Sequence, residues 1–259
     1  MNILERITQT KKEEVKAKKS LASTTILEQS PLYNRSTLSV AKALKNSSSG
    51  IIAEHKRRSP SKAVINQSHQ LLNVINAYQE NGATAISVLT DTNYFGGSLE
   101  DLFLARSAAS IPLLRKDFVI DPYQITEAKA FGADFILLIA SILEKAQIQE
   151  FTAFAHELNL EVLLEVHSLE ELEASYTEDI DVVGVNNRNL KTFEVDLNTS
   201  FDIARALDSE KVKISESGLS DTQSIINLKK AGYNGFLIGE TLMKNDKPGE
   251  ILKQLIDQS

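Results

Sequence analysis

Cysteine is absent from this 259-residue chain, which excludes disulfides, thiol catalysis and zinc–thiolate sites. Basic charge is not in excess either. The 28 Lys and Arg stand against 35 Asp and Glu, for a formal net charge of −7, so no extended face for nucleic acid is expected. A local phosphate site stays open, because a few backbone N–H groups and one lysine suffice to build one. Long hydrophobic runs are missing as well: the longest, Phe135 to Ala140, falls far short of the ~20 residues a membrane helix needs. The start, Met1-Asn2-Ile3-Leu4-Glu5-Arg6, carries no apolar signal core. These absences point to a cytoplasmic protein without membrane or nucleic-acid partners. What remains, 42% hydrophobic and 24% charged residues, is ordinary globular composition, in a chain long enough for a full core.

After about residue 50, short β-branched runs alternate with amphipathic stretches. Strands are predicted at 51–56, 85–90, 112–116, 135–139, 160–166, 181–186, 212–216 and 235–238. Helices are predicted at 71–80, 99–109, 123–131, 144–158, 169–176, 201–207 and 222–231, with a last one at 251–256. The strands are apolar with little alternation, as suits a parallel sheet buried on both faces. Asn81-Gly82-Ala83-Thr84, Phe131-Gly132-Ala133-Asp134 and Ala231-Gly232-Tyr233-Asn234 each precede a strand. They share one grammar: a helix ends on a left-handed glycine, two residues follow, and the strand begins. Roughly eight such units favour an α/β fold closed into a (β/α)8 TIM barrel over a doubly wound sheet. No Pro/Gly/Ser linker divides the chain, so a single domain is expected over 1–259. Its barrel spans 49–259, and a helical extension over 1–48, with helices at 3–19 and 38–44, is read as a cap on the barrel rather than a solvated arm.

Active sites of such barrels lie at the carboxyl ends of the strands, and here those ends are polar. Glu54 and Lys56, two apart on the first strand, project to the same face. The third strand ends at Lys116, the fifth at Glu165-Val166-His167, the sixth at Asn186, the seventh at Glu216-Ser217-Gly218 and the eighth at Gly239-Glu240. Taken singly, each has a plain explanation: a solvated lysine, an ion-paired glutamate, a turn asparagine, a capping serine. His55 and His167 abut the important positions and are read as barrel-exterior or loop residues, not as ligands. Taken together, two lysines and two glutamates where water-facing surface is scarce are costly unless they meet one another or a polar ligand. Gly218 and Gly239 open the loops in which many barrels bind phosphate. The residues alone therefore point to a small phosphorylated substrate and Lys/Glu acid–base chemistry.

At these positions the sequence resembles the indole-3-glycerol phosphate synthase family along nearly its whole length from about residue 3. The stretches that carry the likeness are IIAEHKRRSPSK (51–62), SVLTDTNYFGGSLEDL (87–102), PLLRKDFVIDPYQI (112–125), LLEVH (163–167), GVNNRNL (184–190), ISESGL (214–219) and FLIGETLM (236–243). The resemblance implies ring closure, decarboxylation and dehydration of 1-(2-carboxyphenylamino)-1-deoxyribulose 5-phosphate, in a chain without the fused isomerase some relatives carry. It makes Lys116 the general acid for closure and gives Glu165 the anilino nitrogen. Glu54 and Lys56 serve closure and dehydration, while Asn186 and Ser217 orient the substrate hydroxyls. Gly218, Gly239 and the Glu240 backbone cradle the phosphate, and Ser59 and Arg188 hold the benzoate carboxylate. Phe95, Phe118, Leu137 and Leu190 wall the aromatic ring. No cofactor or metal is implied, and the chain is expected to be a monomer or weak homodimer. A lysine acting as an acid near neutrality is expected to have a lowered pKa, from burial and from Lys56 nearby. Two other readings stay open: a Schiff-base aldolase with Lys116 as nucleophile, and a catalytically silent paralogue. One departure stands out. Ala63 occupies a place where the family usually has glycine, and would cost about 1 kcal/mol there if positive φ were required.

Overall fold

The computed structural model describes residues 2–190 and 192–259. Eight parallel strands run in chain order around a closed barrel: β1 (Ile51–His55), β2 (Ala85–Leu89), β3 (Leu113–Lys116), β4 (Phe135–Ile139), β5 (Glu161–Val166), β6 (Val182–Asn186), β7 (Val212–Glu216) and β8 (Gly235–Ile238). β1 pairs with both β2 and β8, which closes the ring. Three helices precede the barrel: α1 (Ile3–Leu21), α2 (Thr24–Glu28) and α3 (Val40–Asn46). The others lie between and after the strands: α4 (Leu71–Glu80), α5 (Thr92–Phe95), α6 (Leu99–Ala108), α7 (Pro122–Ala130), α8 (Lys145–Glu157), α9 (Leu169–Ser175), α10 (Asn198–Ala206), α11 (Thr222–Lys230), α12 (Glu240–Met243) and α13 (Pro248–Gln258).

Strand alternation splits the apolar side chains into two cores. Ile52, Leu114, Phe135, Leu137, Leu163, Val182, Ile214 and Leu237 point inward and fill the barrel. Ile51, Ala53, Ile136, Leu138, Leu164 and Val183, one position out of step, pack beneath the helices. Both faces of each strand are thus dry, which is why their sequences show no polar alternation. Gly82, Gly132 and Gly232 carry φ of 91°, 90° and 90°, so the helix-to-strand turns read from the sequence are made as expected.

Residues 2–46 touch both ends of the barrel. Val40 and Leu44 of α3 are fully buried against the inner core, and the Glu161 carboxylate at the start of β5 accepts from the Ala41 N–H (2.9 Å) and from the Ser39 hydroxyl. At the other end, Ile3, Leu4 and Ile7 of α1 line the cavity over the strand termini. α1 and α2 pack on α7, so every residue from Tyr123 to Ala130 is buried. That cover leaves α7 no exposed face, and even Gln124, Thr126, Glu127 and Lys129 are buried. The helices absent from the sequence reading, α2, α5 and α12, are four or five residues long, too short to show a period. The helix expected at 201–207 begins earlier, at Asn198.

α1 is fastened by a buried cation. Lys11 is 1% exposed, and its Nζ lies 2.8 Å from Glu14, 3.0 Å from Asp91 and 2.9 Å from Asp117. Burial opposes its charge, but the three carboxylates hold it above its ordinary value. Asp117, which burial would raise, is held far below its ordinary value by Lys11 and Arg115. Removing the cation leaves the buried Asp91 without its ion pair and Asp117 with Arg115 alone, so Lys11→Met should destabilise the fold by about 3 kcal/mol at about pH 7. The pH dependence follows from the signs. A depressed Asp117 contributes stability above its unfolded value of 3.8, and loses it as pH falls toward the folded value. A raised Lys11 contributes fully below 10.5. Denaturant unfolding of the two proteins should therefore diverge most near neutrality and converge in acid. A difference that widened as pH fell would contradict this account.

Candidate active site

The inward positions at the carboxyl ends of the strands form a cavity of ≈ 310 Å³. Continuing the parity of the inner core along each strand brings Glu54 (from Ile52), Lys116 (from Leu114), Glu165 (from Leu163), Asn186 (from Val182) and Glu216 (from Ile214) to this rim. Lys116 is the hub: its Nζ donates to Glu165 Oε2 at 2.8 Å and to Glu216 Oε2 at 2.6 Å. Asn186 Nδ2 donates to the other Glu165 oxygen at 3.3 Å. Lys56 Nζ sits 2.6 Å from Glu54 Oε1, and the Ser87 hydroxyl donates to Glu54 Oε2 at 3.3 Å.

All the residues expected from the sequence line this one cavity: the six polar ones (Glu54, Lys56, Lys116, Glu165, Asn186, Ser217), Ser59 and Arg188, the four apolar ones, and Gly218, Gly239 and Glu240. The Phe95 and Phe118 rings lie 5.9 Å apart with their planes tilted by 40°, and Leu137 lines the same cavity. Arg188 is steadied by a 3.1 Å bond from Nη1 to the Phe193 carbonyl. Lys62, from the loop after β1, reaches Glu240 at 3.0 Å, a half-exposed pair that joins the rim near the two glycines. Ser217 and Gly218 are both left-handed, with φ of 66° and 77°, and a Cβ at Gly218 would run into the Val195 side chain. A Cβ at Gly239 would run into the Glu54 carboxylate. Neither position admits a larger residue, and both present bare backbone to the cavity. Ala63 is not among the residues with positive φ, so the strain considered for it does not arise.

The structure adds and corrects. Glu216, a second carboxylate on Lys116, was not picked out as a site residue; its parity with Ile214 was the available signal. Its Oε1 is buried with no hydrogen-bond partner among the described residues, a spare acceptor facing Gly184. The lowered pKa expected for Lys116 is overturned. Burial does work against its charge, but Glu165, Glu216 and Glu54 outweigh it and hold the ammonium well above its ordinary value. Lys56 cannot supply the opposing charge while it is paired with Glu54. Burial works to raise Glu165, yet Lys116 and His167 pull it below the usual carboxylate range. Burial raises Glu216; Lys116 pulls it back, Glu165 adds to the rise, and the net shift is upward.

The two histidines part ways. His55 points to the outer face, buried, and burial with Arg57 nearby lowers its pKa to about 4. His167 was read as facing away from the site, but it lies two residues beyond Glu165 and so shares its side. Its Nε2 is 3.4 Å from Glu165 Oε1. Among the described residues, no group of three or more His, Asp or Glu is placed to hold a metal ion.

A closed parallel barrel with two lysines set among three carboxylates at its catalytic end defines a (β/α)8-barrel acid–base enzyme. Residues 4–255 match the family described as Indole-3-glycerol phosphate synthase. A protein of that name from Bacteroides thetaiotaomicron is 46% identical over 255 residues, 98% of each chain. One from Salinibacter ruber is 45% identical over 257 residues, 98% of this chain and 95% of its own. Among solved structures, thiamine phosphate pyrophosphorylase from Pyrococcus furiosus superposes with a TM-score of 0.62 at 16% identity, over 85% of this chain and 97% of its own, a likeness of fold alone. The chain belongs to the indole-3-glycerol phosphate synthase family.

Proposed function

We propose that this cavity converts 1-(2-carboxyphenylamino)-1-deoxy-D-ribulose 5-phosphate to indole-3-glycerol phosphate, CO2 and water. The observation that carries the reading is the Lys116 ammonium held between Glu165 and Glu216, in a pocket walled by Phe95, Phe118 and Leu137. The aryl ring lies against that wall, its carboxylate toward Ser59 and Arg188 and its phosphate at Gly218, Gly239 and the Glu240 backbone. The aromatic carbon bearing the carboxylate attacks the ribulose carbonyl carbon. As the C–C bond forms, the carbonyl oxygen becomes an alkoxide and takes a proton from Lys116. A raised pKa does not forbid this step. The transfer needs an ammonium more acidic than the nascent alcohol, whose pKa is close to water's, about 15.7, and a raised pKa keeps the acid loaded at neutral pH.

Ring closure places positive charge on the anilino nitrogen, and the ionised Glu165 stabilises it. That iminium accepts the electron pair released when the C–CO2 bond breaks, so the chemistry asks for no added electron sink. Dehydration follows: Lys56 protonates the departing hydroxyl while Glu54 removes the ring proton, and the indole forms. Asn186 and Ser217 orient the hydroxyls of the chain. The same reading places the enzyme in the cytoplasm as a monomer or weak homodimer. Among the described residues no helix is long and apolar enough to cross a membrane.

Turnover tests the reading directly. The purified chain mixed with the carboxyphenylamino-deoxyribulose phosphate should generate indole fluorescence and one CO2 per indole. With no Trp in the sequence, the protein contributes little background. Substrate consumed without indole, or a borohydride-trapped adduct on Lys116, would refute it in favour of imine chemistry.

A further inference from the structure

The reaction as derived gives His167 no part, yet its ring lies directly behind Glu165, between that carboxylate and an outer cleft. Its Nε2 faces Glu165 Oε1 at 3.4 Å and has no hydrogen-bond partner among the described residues. Its Nδ1 lies 3.1 Å from Glu171 Oε2, and the same oxygen accepts the His167 backbone N–H at 2.8 Å. Glu171 is itself fixed on the first turn of α9, where its backbone N–H donates to the Ser168 hydroxyl at 3.2 Å. The imidazole is thus clamped between two carboxylates, one in the active site and one half-exposed. We propose that His167, held by Glu171, is a positioning residue that makes the two carboxylates on Lys116 unequal and keeps Glu165 ionised through ring closure.

The surrounding charges show why a second cation is needed there. Glu165 meets Lys116 from β3 through Oε2 and the neutral Asn186 amide from β6 through Oε1. Glu216 on β7 shares the same ammonium, and Glu54 on β1 also acts on it. Three carboxylates around one central lysine would push one another's pKa values up. Glu54 has Lys56 and Glu165 has His167, whereas among the described residues Glu216 has no positive partner besides Lys116. On its outer side, His167 borders a cleft between α9 and α10 that also holds Glu170, Asp202 and Arg205, the last two paired at 3.0 Å. Burial disfavours the imidazolium, but Glu165 and Glu171 together push its pKa up to about 10. A fixed positive charge therefore holds Glu165 as an anion while the lysine beside it surrenders a proton. Without that charge, Glu165 would take up a proton at a higher pH and no longer stabilise the positive charge on the anilino nitrogen.

This inference rests on the proposed ring closure, but the coupling can be measured without turnover. The His167 ring should be titrated by NMR in the full chain, its signal assigned by its loss in His167→Gln. It should remain protonated through about pH 8, and its pKa should fall by at least about one unit in Glu165→Gln and again in Glu171→Gln. Linkage is reciprocal, so the fall in Glu165→Gln equals the depression that His167 imposes on Glu165. In turnover, His167→Gln should move the acid limb of kcat/KM up by about one pH unit while changing kcat on the plateau by less than about threefold. A ring that titrates near 6.5 and ignores Glu165→Gln would overturn the proposal. So would an unmoved limb with kcat lowered evenly at every pH. If His167→Gln does not fold, the two glutamate variants decide by their effect on the native ring. Failure of the wild-type chain to form indole would sink the reaction and leave the titration to judge the coupling.

Discussion

Lys116→Met should lower kcat by at least about 100-fold while substrate analogues still bind. Methionine keeps the length and apolar stem of the side chain but cannot donate a proton, so the loss falls on the closing step. It also leaves Glu165 and Glu216 facing each other without their shared cation. Two buried carboxylates cannot both stay ionised under those conditions, and one should take up a proton. The variant should therefore gain a new proton-uptake step on folding while losing indole and CO2 production in parallel. Stopped-flow fluorescence alongside CO2 capture checks the rates, and an analogue titration checks that the cavity survives. Near-normal turnover would remove Lys116 from the role of acid.

Lys56→Met and Glu54→Gln should separate the two product signals instead of lowering them together. Ring closure and dehydration act on the same oxygen atom, but loss of the carboxylate changes the geometry around it between the two events. Lys116 is pinned by two hydrogen bonds and cannot follow. Lys56 and Glu54, 2.6 Å apart on the neighbouring side of the rim, form a separate acid and base. With either altered, CO2 should appear in a pre-steady-state burst, and indole should follow about 100-fold more slowly as the closed, hydroxylated intermediate accumulates. Gln at position 54 also removes one of the three carboxylates that hold the Lys116 ammonium, so the Lys56 variant is the cleaner of the two. CO2 and indole released in step by both variants would reduce the pair to substrate binding.

The barrel and its rim were legible because both depend on a short-range rule. Parity along a strand tells which residues share a face, and eight apolar runs closed by helix-ending glycines give the repeat. Glu54, Lys116, Glu165 and Asn186 all follow from that rule and from their place at strand ends. Glu216 and His167 obey it as well: Glu216 shares the parity of Ile214, and His167, read as an exterior or loop residue, lies two residues beyond Glu165 and on its side. Other features were beyond the reach of any local pattern. Lys11 finds Asp91 and Asp117 some 80 and 106 residues away, and nothing in the amphipathy of α1 shows that a lysine on it will be buried. The all-round burial of α7 has the same origin, since α1 and α2 cover a face that its own sequence leaves undetermined. The Lys116 pKa failed for a related reason: its sign depends on how many carboxylates converge, and one of the three had been left out.

The pairing of β1 with both β2 and β8 has a consequence for how copies of the chain can meet. An open sheet ends in strands whose N–H and C=O groups are unclaimed and can recruit a strand from another molecule. In this ring every strand has two neighbours, so the sheet offers no such template. Any association between copies, productive or pathological, must be built from helix faces and loops, or must wait until the ring is opened by unfolding.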